Sequence, residues 1–376
     1  MELPAPVPRP AVHPLPKPLR RRHAAAARHL ALRRRLLDRT VGPLYPGYFN
    51  LVMATGIVSN AFYLLGHGPL AAALLIVGLV AYPLLLAGLV LRAVLYPRRL
   101  WRDLIDPRLV FSFFTLVAGT DVLALALHMR GHDGVATGLW LFALATWVLL
   151  GYFSFSVLTF VNSEEGAEVV HGGWLIAIVG TESLVIVGAL LAPRFGSLED
   201  LTLVTVYALW GIGIVFYGIF ITLFTHRIFF LQIEPAEMGP LFWVVMGAAA
   251  ISTNAGSTLI ANPPDLPFLQ AMRPFVDGTT LILWAWGTWW IPLLVILGIW
   301  RHVVRRYPLR YHPAYWNLVF PLGMYTVATY RLSLAADYTA LQSVSRVMLW
   351  VAFAAWLATT VGLVVSPRRG PVTARA

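Results

Sequence analysis

The 376-residue sequence contains no cysteine, and only 12% of its residues are charged. Without thiols, the chain can form neither disulfides nor thiolate metal sites, and it has no redox-active cysteine. Soluble domains carry about twice this share of charge. The apolar segments also lack an HExxH motif, an aspartate-rich pair and a Ser/Lys dyad, which are groups that catalysis inside a membrane would use. A membrane-embedded enzyme is therefore a remote alternative, and no cofactor is expected.

Apolar residues make up 59% of the chain, and its mean hydropathy is +0.73. A helix needs about 20 apolar residues to cross roughly 30 Å of hydrocarbon. The sequence therefore predicts an all-α membrane protein with ten transmembrane helices. The ten segments are 45–66, 69–95, 107–129, 134–160, 170–192, 201–230, 239–262, 278–300, 314–334 and 343–365.

Basic residues are distributed unevenly between the two sides that ten crossings would create. Of the 28 Lys and Arg residues, 23 fall in the termini and in the loops after even-numbered segments. By the positive-inside rule, both termini are cytoplasmic, in a multi-pass protein of the inner (plasma) membrane. Residues 1–40 are predicted to be a basic, disordered cytoplasmic tail, residues 41–367 the ten-helix domain, and residues 368–376 a short cytoplasmic tail. Because the arginines flank membrane segments, we expect contacts with lipid and no nucleic-acid binding.

A glycine recurs near the middle of each odd-numbered segment, flanked by small or hydroxyl-bearing residues: Gly56, Gly119, Gly180, Gly247 and Gly323. Successive glycines are 63, 61, 67 and 76 residues apart, the length of one helical hairpin with its loops. Membranes tolerate polar groups where protein or water surrounds them. We therefore expect five quasi-symmetric hairpins, with the odd-numbered helices as an inner ring around a central pore. The first four glycines are candidates to line this pore, and close helix packing is their alternative role.

Two acids lie inside the apolar segments, each two residues after a repeat glycine. They are Asp121 and Glu182. Acids in membrane segments are costly and are by default functional candidates. Ionised carboxylates in a pore would repel anions, so three interpretations stay open. The acids are protonated or bonded to neighbouring helices, they carry protons during transport, or they lie nearer a pore mouth.

Three stretches resemble one known family. They are "YFNLVMATGIVSNAFYLLG" (48–66), "EMGPLFWVVMGAAAISTNAG" (237–256) and "YWNLVFPLGMYTVATYRL" (315–332). They are similar to signatures of the tellurite-resistance/C4-dicarboxylate transporter family, which also contains the plant slow anion channels, and the similarity spans residues 45–365. The resemblance implies ten helices in five hairpins, a pore through each protomer and a homotrimer. It also implies small inorganic or organic anions as cargo.

The resemblance further implies a phenylalanine that plugs the pore on the ninth helix, at Phe320 in "LVFPLG". An ordinary buried phenylalanine is the alternative. Pro321 has no N–H for the carbonyl one turn earlier, so we expect a helix break at the gate, with Gly323 absorbing the distortion. A hydrophobic constriction stops ions by excluding water, and rotation of one ring would reopen it.

Two transport functions remain open from the sequence. Phe320 favours a gated anion channel. Asp121 and Glu182 favour a proton-coupled secondary transporter for a C4-dicarboxylate, sulfite or tellurite.

Overall fold

The computed structural model describes residues 37–161, 170–231 and 233–365. In these residues the regular structure consists of α-helices with short 3₁₀ and π turns, without β-strands. Of the two predicted tails, residues 37–40 are described and are helical, and the rest lies outside the described residues. Ten helices have 15 residues or more: α1 Asn50–Leu64, α2 Gly68–Leu95, α3 Phe114–His128, α4 Asp133–Ser156, α5 Ile176–Leu191, α6 Glu199–Phe230, α7 Val244–Ala261, α8 Arg273–Ile299, α9 Trp316–Ala335 and α10 Leu341–Val365.

Seven helical stretches in the described part of the chain are long and apolar enough to cross a membrane. One of them, Gly172–Phe230, contains both α5 and α6, which a 3₁₀ turn over Ala192–Leu198 connects. The stretches with α1 and α9 are not among the seven, and these two helices contain Asn50, Asn60 and Asn317. For the described residues the prediction of an all-helical protein is confirmed, and the apolar helices fit a membrane protein.

The odd-numbered helices are buried and the even-numbered helices are exposed. In the most apolar window of Val110–His128 and of Pro240–Ala261, which hold α3 and α7, 94% of the residues are buried. The corresponding share is 22% or less in the stretches that hold α2, α4, α8 and α10. Large apolar side chains on the outer surface of a soluble protein would be a liability, whereas in a bilayer they face lipid.

The buried helices contact one another in a closed cycle. Helix α1 contacts α3, α3 contacts α5, α5 contacts α7, α7 contacts α9, and α9 contacts α1. Each of them also packs extensively against the helix that follows it in the chain. We call α1, α3, α5, α7 and α9 the inner helices and the other five the outer helices.

Glycines allow the inner helices to approach closely. A Cβ added to Gly247 of α7 would lie 2.7 Å from Cγ of Pro321 in α9, and one added to Gly323 would lie 2.9 Å from Ile57 in α1. A Cβ on Gly56 would lie 2.5 Å from a methyl group of Val122 in α3. Since real Cβ atoms do not tolerate such distances, a larger residue would push these helices apart.

A second set of contacts joins four outer helices to the inner helix that follows each of them in the chain, and α10 to α1. An aromatic side chain of the outer helix forms a hydrogen bond with an inner-helix hydroxyl or carbonyl. The pairs are Tyr82 Oη with Thr120 Oγ1 (2.8 Å), Trp147 Nε1 with Thr181 Oγ1 (2.8 Å), Trp210 Nε1 with the Ser252 carbonyl (3.2 Å), Trp284 Nε1 with Thr329 Oγ1 (3.0 Å) and Trp356 Nε1 with Thr55 Oγ1 (3.0 Å). We call these five pairs the aromatic ties. The last one joins α10 to α1, so it closes the ring.

We expect Gly247→Ala to lower the stability of the protein by about 1–3 kcal/mol, because the added methyl group overlaps Pro321. Thermal unfolding in detergent measures this effect. Gly278→Ala on α8 is the matched control, since no atom lies within 4 Å of its added Cβ. At that exposed helical site alanine is favoured by up to about 1 kcal/mol. Equal stabilities of the two variants would show that the α7–α9 contact does not depend on glycine.

Candidate functional site

The inner helices begin at one end of the ring. The 3₁₀ turns before them, at Pro46–Phe49, Val110–Phe113, Gly172–Leu175, Pro240–Trp243 and Pro313–Tyr315, contact one another in chain order. The first N–H groups of each helix lack intrahelical acceptors and give this end a partial positive charge. Arg108, Arg227 and Arg301 stand in or beside the connections that lead into these turns. This end of the ring, which we call the basic end, therefore favours anions.

Phe320 lies near the start of α9, the inner helix between α7 and α1. Its side chain is 2% exposed and belongs to the main buried core cluster. Asn317 precedes it by three residues, so the two side chains lie on neighbouring parts of one helix face. The role of Phe320 as a gate stays a prediction.

Helix α9 is continuous from Trp316 to Ala335, with Pro321 inside it. The chain therefore keeps helical geometry at Pro321 and Gly323, and the predicted break does not interrupt the helix. Pro321 still removes one backbone hydrogen bond, and its ring packs on Gly247 of α7. A bend at this point of the helix stays a prediction.

The repeat glycines lie at contacts between inner helices. Gly119 faces Phe49 and Met53 at the start of α1, and Gly180 faces Phe114 at the start of α3. With the contacts of Gly56, Gly247 and Gly323, this arrangement supports the packing role that the sequence left open. That Gly56, Gly119, Gly180 and Gly247 also line a pore stays a prediction.

Buried amides occupy corresponding positions in α1 and α9. Asn50 and Asn317 each precede the repeat glycine of their helix by six residues, and they are 1% and 3% exposed. Neither side-chain NH2 group has a hydrogen-bond partner among the described residues. A buried donor without a partner is costly. These amides are neutral donors that an anion could use, and Asn317 lies three residues before Phe320. Sequence reasoning missed both amides. The equal separation of six residues between each asparagine and its glycine was the pattern in the sequence that could have identified them.

Asp121 of α3 lies at the contact with α5. Its side chain is 1% exposed, and Oδ2 lies 2.8 Å from the hydroxyl of Ser183. The same hydroxyl lies 2.8 Å from the carbonyl of Gly180. Since a hydroxyl has one proton, both contacts are satisfied at once when Ser183 donates to Gly180 and a protonated Asp121 donates to Ser183. This geometry fits the interpretation of a protonated, bonded acid.

Glu182 points towards an outer helix. Its carboxylate lies against Gly213 of α6, where an added Cβ would overlap it. The side chain is fully buried, and neither carboxylate oxygen has a hydrogen-bond partner among the described residues. Glu182 therefore lies in the contact between α5 and α6, with the Ser252 side chain of the inner helix α7 also close to its carboxyl. An unpaired buried carboxylate is strongly disfavoured, so a neutral carboxyl suits this position.

Two histidines cap inner helices at the basic end. Nδ1 of His171 accepts from the Gly173 N–H (2.9 Å), and Nδ1 of His312 accepts from the Ala314 N–H (3.2 Å). The other ring nitrogen of His171 therefore carries the proton and donates to the Arg108 carbonyl at 2.5 Å. Sequence reasoning missed these caps, because their only signal is the matching place before a 3₁₀ turn.

The chain is similar to a known family and to several known proteins. Residues 44–364 match the model of the family described as voltage-dependent anion channel. An uncharacterized membrane protein of Mycobacterium tuberculosis is 42% identical over 142 residues, which cover 38% of this chain and 72% of that protein. An uncharacterized transporter of Methanocaldococcus jannaschii is 25% identical over 84% of this chain and 91% of its own length. A sulfite efflux pump of Trichophyton rubrum is 22% identical over 77% of this chain and 81% of its own length. The resemblance inferred from the sequence is thus confirmed.

The cap at His312 predicts a pH-dependent stability. Burial lowers the pKa of His312, so the folded state holds the neutral ring that can accept the Ala314 N–H. This contribution is complete above the unfolded pKa of about 6.5 and is lost as the pH falls through the lower, folded pKa. At pH 8 we expect His312→Ala to be less stable than wild type by about 1 kcal/mol. Unfolding in detergent at pH 8 and pH 5 measures the difference, which should shrink at pH 5.

His312→Asn is the control for this cap. Asparagine supplies a side-chain oxygen that does not titrate in this range, so its effect should be similar at both pH values. A difference between His312→Ala and wild type that does not change with pH would contradict the assignment of Nδ1 as the acceptor.

Proposed function

Since the chain belongs to the voltage-dependent anion channel family, we propose that it carries small anions across a membrane along the axis of the inner-helix ring. In this proposal ten helices cross the membrane as five hairpins around a pore in each protomer, and Phe320 gates the pore. Both termini lie in the cytoplasm, the protein resides in the inner (plasma) membrane, and it assembles as a homotrimer.

The closed cycle of buried inner helices carries this proposal. Five helices start at the basic end, and each contacts two others so that together they form one cycle. Along the inner helices, Arg331 near the end of α9 is the single Lys or Arg residue. An anion would be drawn to the basic end and would meet no fixed positive charge along the inner helices before Arg331, near the far end of α9. Passage should therefore depend on the cost of dehydration, so that large, weakly hydrated anions pass more easily than small ones.

The acids do not obstruct this path. The Glu182 carboxylate lies against the outer helix α6, and Asp121 contacts the Ser183 hydroxyl. Both groups are at least 99% buried. Neutral carboxyls at these places add no negative charge to the ring. This supports an anion pathway despite two acids in the inner helices.

Sulfite is one candidate cargo. The relative from Trichophyton rubrum is named as a sulfite efflux pump, and its similarity covers 77% of this chain. Sulfite, tellurite and C4-dicarboxylates are all oxyanions, which accept hydrogen bonds from neutral amides such as those of Asn50 and Asn317. Anion substitution during a flux measurement would rank these candidates.

We expect Phe320→Ala to open a constitutive leak of anions. Removing the ring removes the hydrophobic constriction, and a barrier lowered by only about 1.4 kcal/mol raises the flux about tenfold. The measurement is anion flux or current in proteoliposomes with purified protein. Phe320→Leu, which keeps an apolar side chain of similar volume, should stay closed.

Phe224→Ala is the matched control for the gate. Phe224 is 1% exposed and packs on Phe242, at 4.9 Å between ring centroids, in the contact between outer helix α6 and the turn before α7. Its loss costs about 3–5 kcal/mol of packing, as expected for any buried phenylalanine. A leak in Phe224→Ala as large as that in Phe320→Ala would attribute the effect to lost packing and overturn the gate.

A second candidate function is proton-coupled transport through Asp121 and Glu182. The supporting observation is Glu182, a fully buried carboxyl without a hydrogen-bond partner among the described residues. Such a group can take up and release a proton without breaking an ion pair. In this function the proton moves with the anion, and a pH gradient drives uptake or efflux.

Replacing each acid by its amide separates the two functions. If protons are coupled, Glu182→Gln or Asp121→Asn should abolish the pH dependence of uptake while the folded protein is retained. If the pathway is a channel, uptake by both variants should follow the membrane potential and the anion gradient as in wild type. Reversal potentials in proteoliposomes, with and without a proton gradient, give the readout. An unchanged reversal potential under a proton gradient contradicts coupling.

A further inference from the structure

An apolar cavity lies at the basic end, outside the ring of inner helices. Its volume is about 400 Å³. Its walls come from the turn before α7, the last turns of α8 and the start of α9. Among the lining residues are Phe242, Trp243, Leu294, Leu297, Gly298 and Leu318. A pocket of this size and lining suits a hydrocarbon chain.

Arg301 lines the same cavity and has no acidic partner among the described residues. Its side chain is 8% exposed, and Nη1 donates to the Met238 carbonyl at 2.6 Å. The guanidinium carbon lies 4.5 Å from the ring centroid of Tyr307, and Nε has no hydrogen-bond partner in the described part of the chain. None of the ion pairs among the described residues includes Arg301. A buried cation without a counter-charge is costly, so this position favours an anionic group.

The cavity also opens towards the lipid-facing surface. Val295, Ile299 and Val303 line it and are 45%, 52% and 67% exposed. These side chains belong to the last turns of α8 and the π turn that follows. An amphiphile from the surrounding lipid could therefore enter sideways, with its charged end at Arg301.

From the apolar walls, the uncompensated Arg301 and the lateral opening, we propose that the cavity binds one acidic phospholipid of the leaflet at the basic end. One acyl chain fills the cavity, and the phosphate contacts the Arg301 guanidinium. Since Leu318 lines the cavity two residues before Phe320, the bound lipid packs against the start of α9. The site depends on insertion of the chain in a membrane and not on Phe320 as a gate.

The experiment uses the full-length protein, purified in detergent, and titrates it with phosphatidylglycerol, phosphatidylcholine or inorganic phosphate. Native mass spectrometry counts bound lipid, and thermal unfolding measures stabilisation. For the wild type we expect one tightly bound phosphatidylglycerol per chain and weaker binding of phosphatidylcholine. Arg301→Gln should weaken phosphatidylglycerol binding about tenfold, the scale of one lost charge-assisted hydrogen bond. Arg301→Lys, which keeps the charge, should retain most of it.

Matched variants test the two halves of the site separately. Arg305→Gln removes an exposed charge four residues away, over the ring of Trp300, and should leave binding unchanged. Gly298→Leu should fill the cavity and displace the acyl chain, because no atom lies within 4 Å of its added Cβ. Gly278→Leu on the same helix is the control, since its added Cβ also meets open space, away from the cavity.

Four results would overturn the lipid site. The first is unchanged phosphatidylglycerol binding by both Arg301→Gln and Gly298→Leu. The second is an equal loss of binding in Arg305→Gln. The third is inorganic phosphate that stabilises wild type and Gly298→Leu as well as the lipid does, which would indicate a free anion. The fourth is lipid that binds only after an oligomer dissociates, which would indicate that a second copy covers the cavity. The readout is lipid binding, so it is independent of the flux measurements on Phe320.

Discussion

Close approach of the inner helices at their glycines is the constraint on which the ring depends. In a bilayer the lipid tails are as apolar as leucine, so helices associate through van der Waals packing and hydrogen bonds. Gly247 supplies such packing against Pro321, and Gly323 does so against Ile57. Because each inner helix contacts two others, one enlarged residue would disturb the whole cycle and not one pair. The recurrence of glycine at one level of each inner helix follows from this geometry.

Several hydroxyl groups of the inner helices have hydrogen-bond partners on neighbouring helices. The hydroxyls of Thr55, Thr120, Thr181 and Thr329 are partners in the aromatic ties. The Asp121 carboxyl contacts Ser183, and the Glu182 carboxyl lies against α6. Such hydrogen bonds contribute about 0.6–2 kcal/mol each within a membrane. The side-chain NH2 groups of Asn50 in α1 and Asn317 in α9 have no partner among the described residues, and such neutral donors suit an anion better than carboxylates would.

The apolar segments predicted most of the helices, because their length and composition reflect the solvent around the chain and not its tertiary contacts. The alternation of glycine-bearing segments with more apolar segments also predicted which helices are buried and which are exposed. The sequence could not predict which residues contact a given glycine or threonine. Gly56 lies against Val122 and Thr55 bonds to Trp356, and both partners come from distant parts of the chain. The direction in which the Glu182 side chain points could not be predicted from the sequence either. It depends on the rotation of α5 about its axis, and Gly213 of α6 makes the room for it.

The continuity of α9 bears on how a gate at Phe320 would open. The sequence predicted a helix break at Pro321, with Gly323 absorbing the distortion, and a gate that opens by rotation of the Phe320 ring. A broken helix could also open a pore by moving one of its halves. In the structure both residues are inside one helix and against neighbours, Pro321 on Gly247 and Gly323 on Ile57. Swinging the helix would break both contacts, whereas a change of side-chain rotamer leaves the backbone in place and costs far less than repacking two interfaces. If Phe320 gates the proposed pore, rotation of its ring is therefore the more economical way to open it, because the glycine contacts of α9 would stay in place.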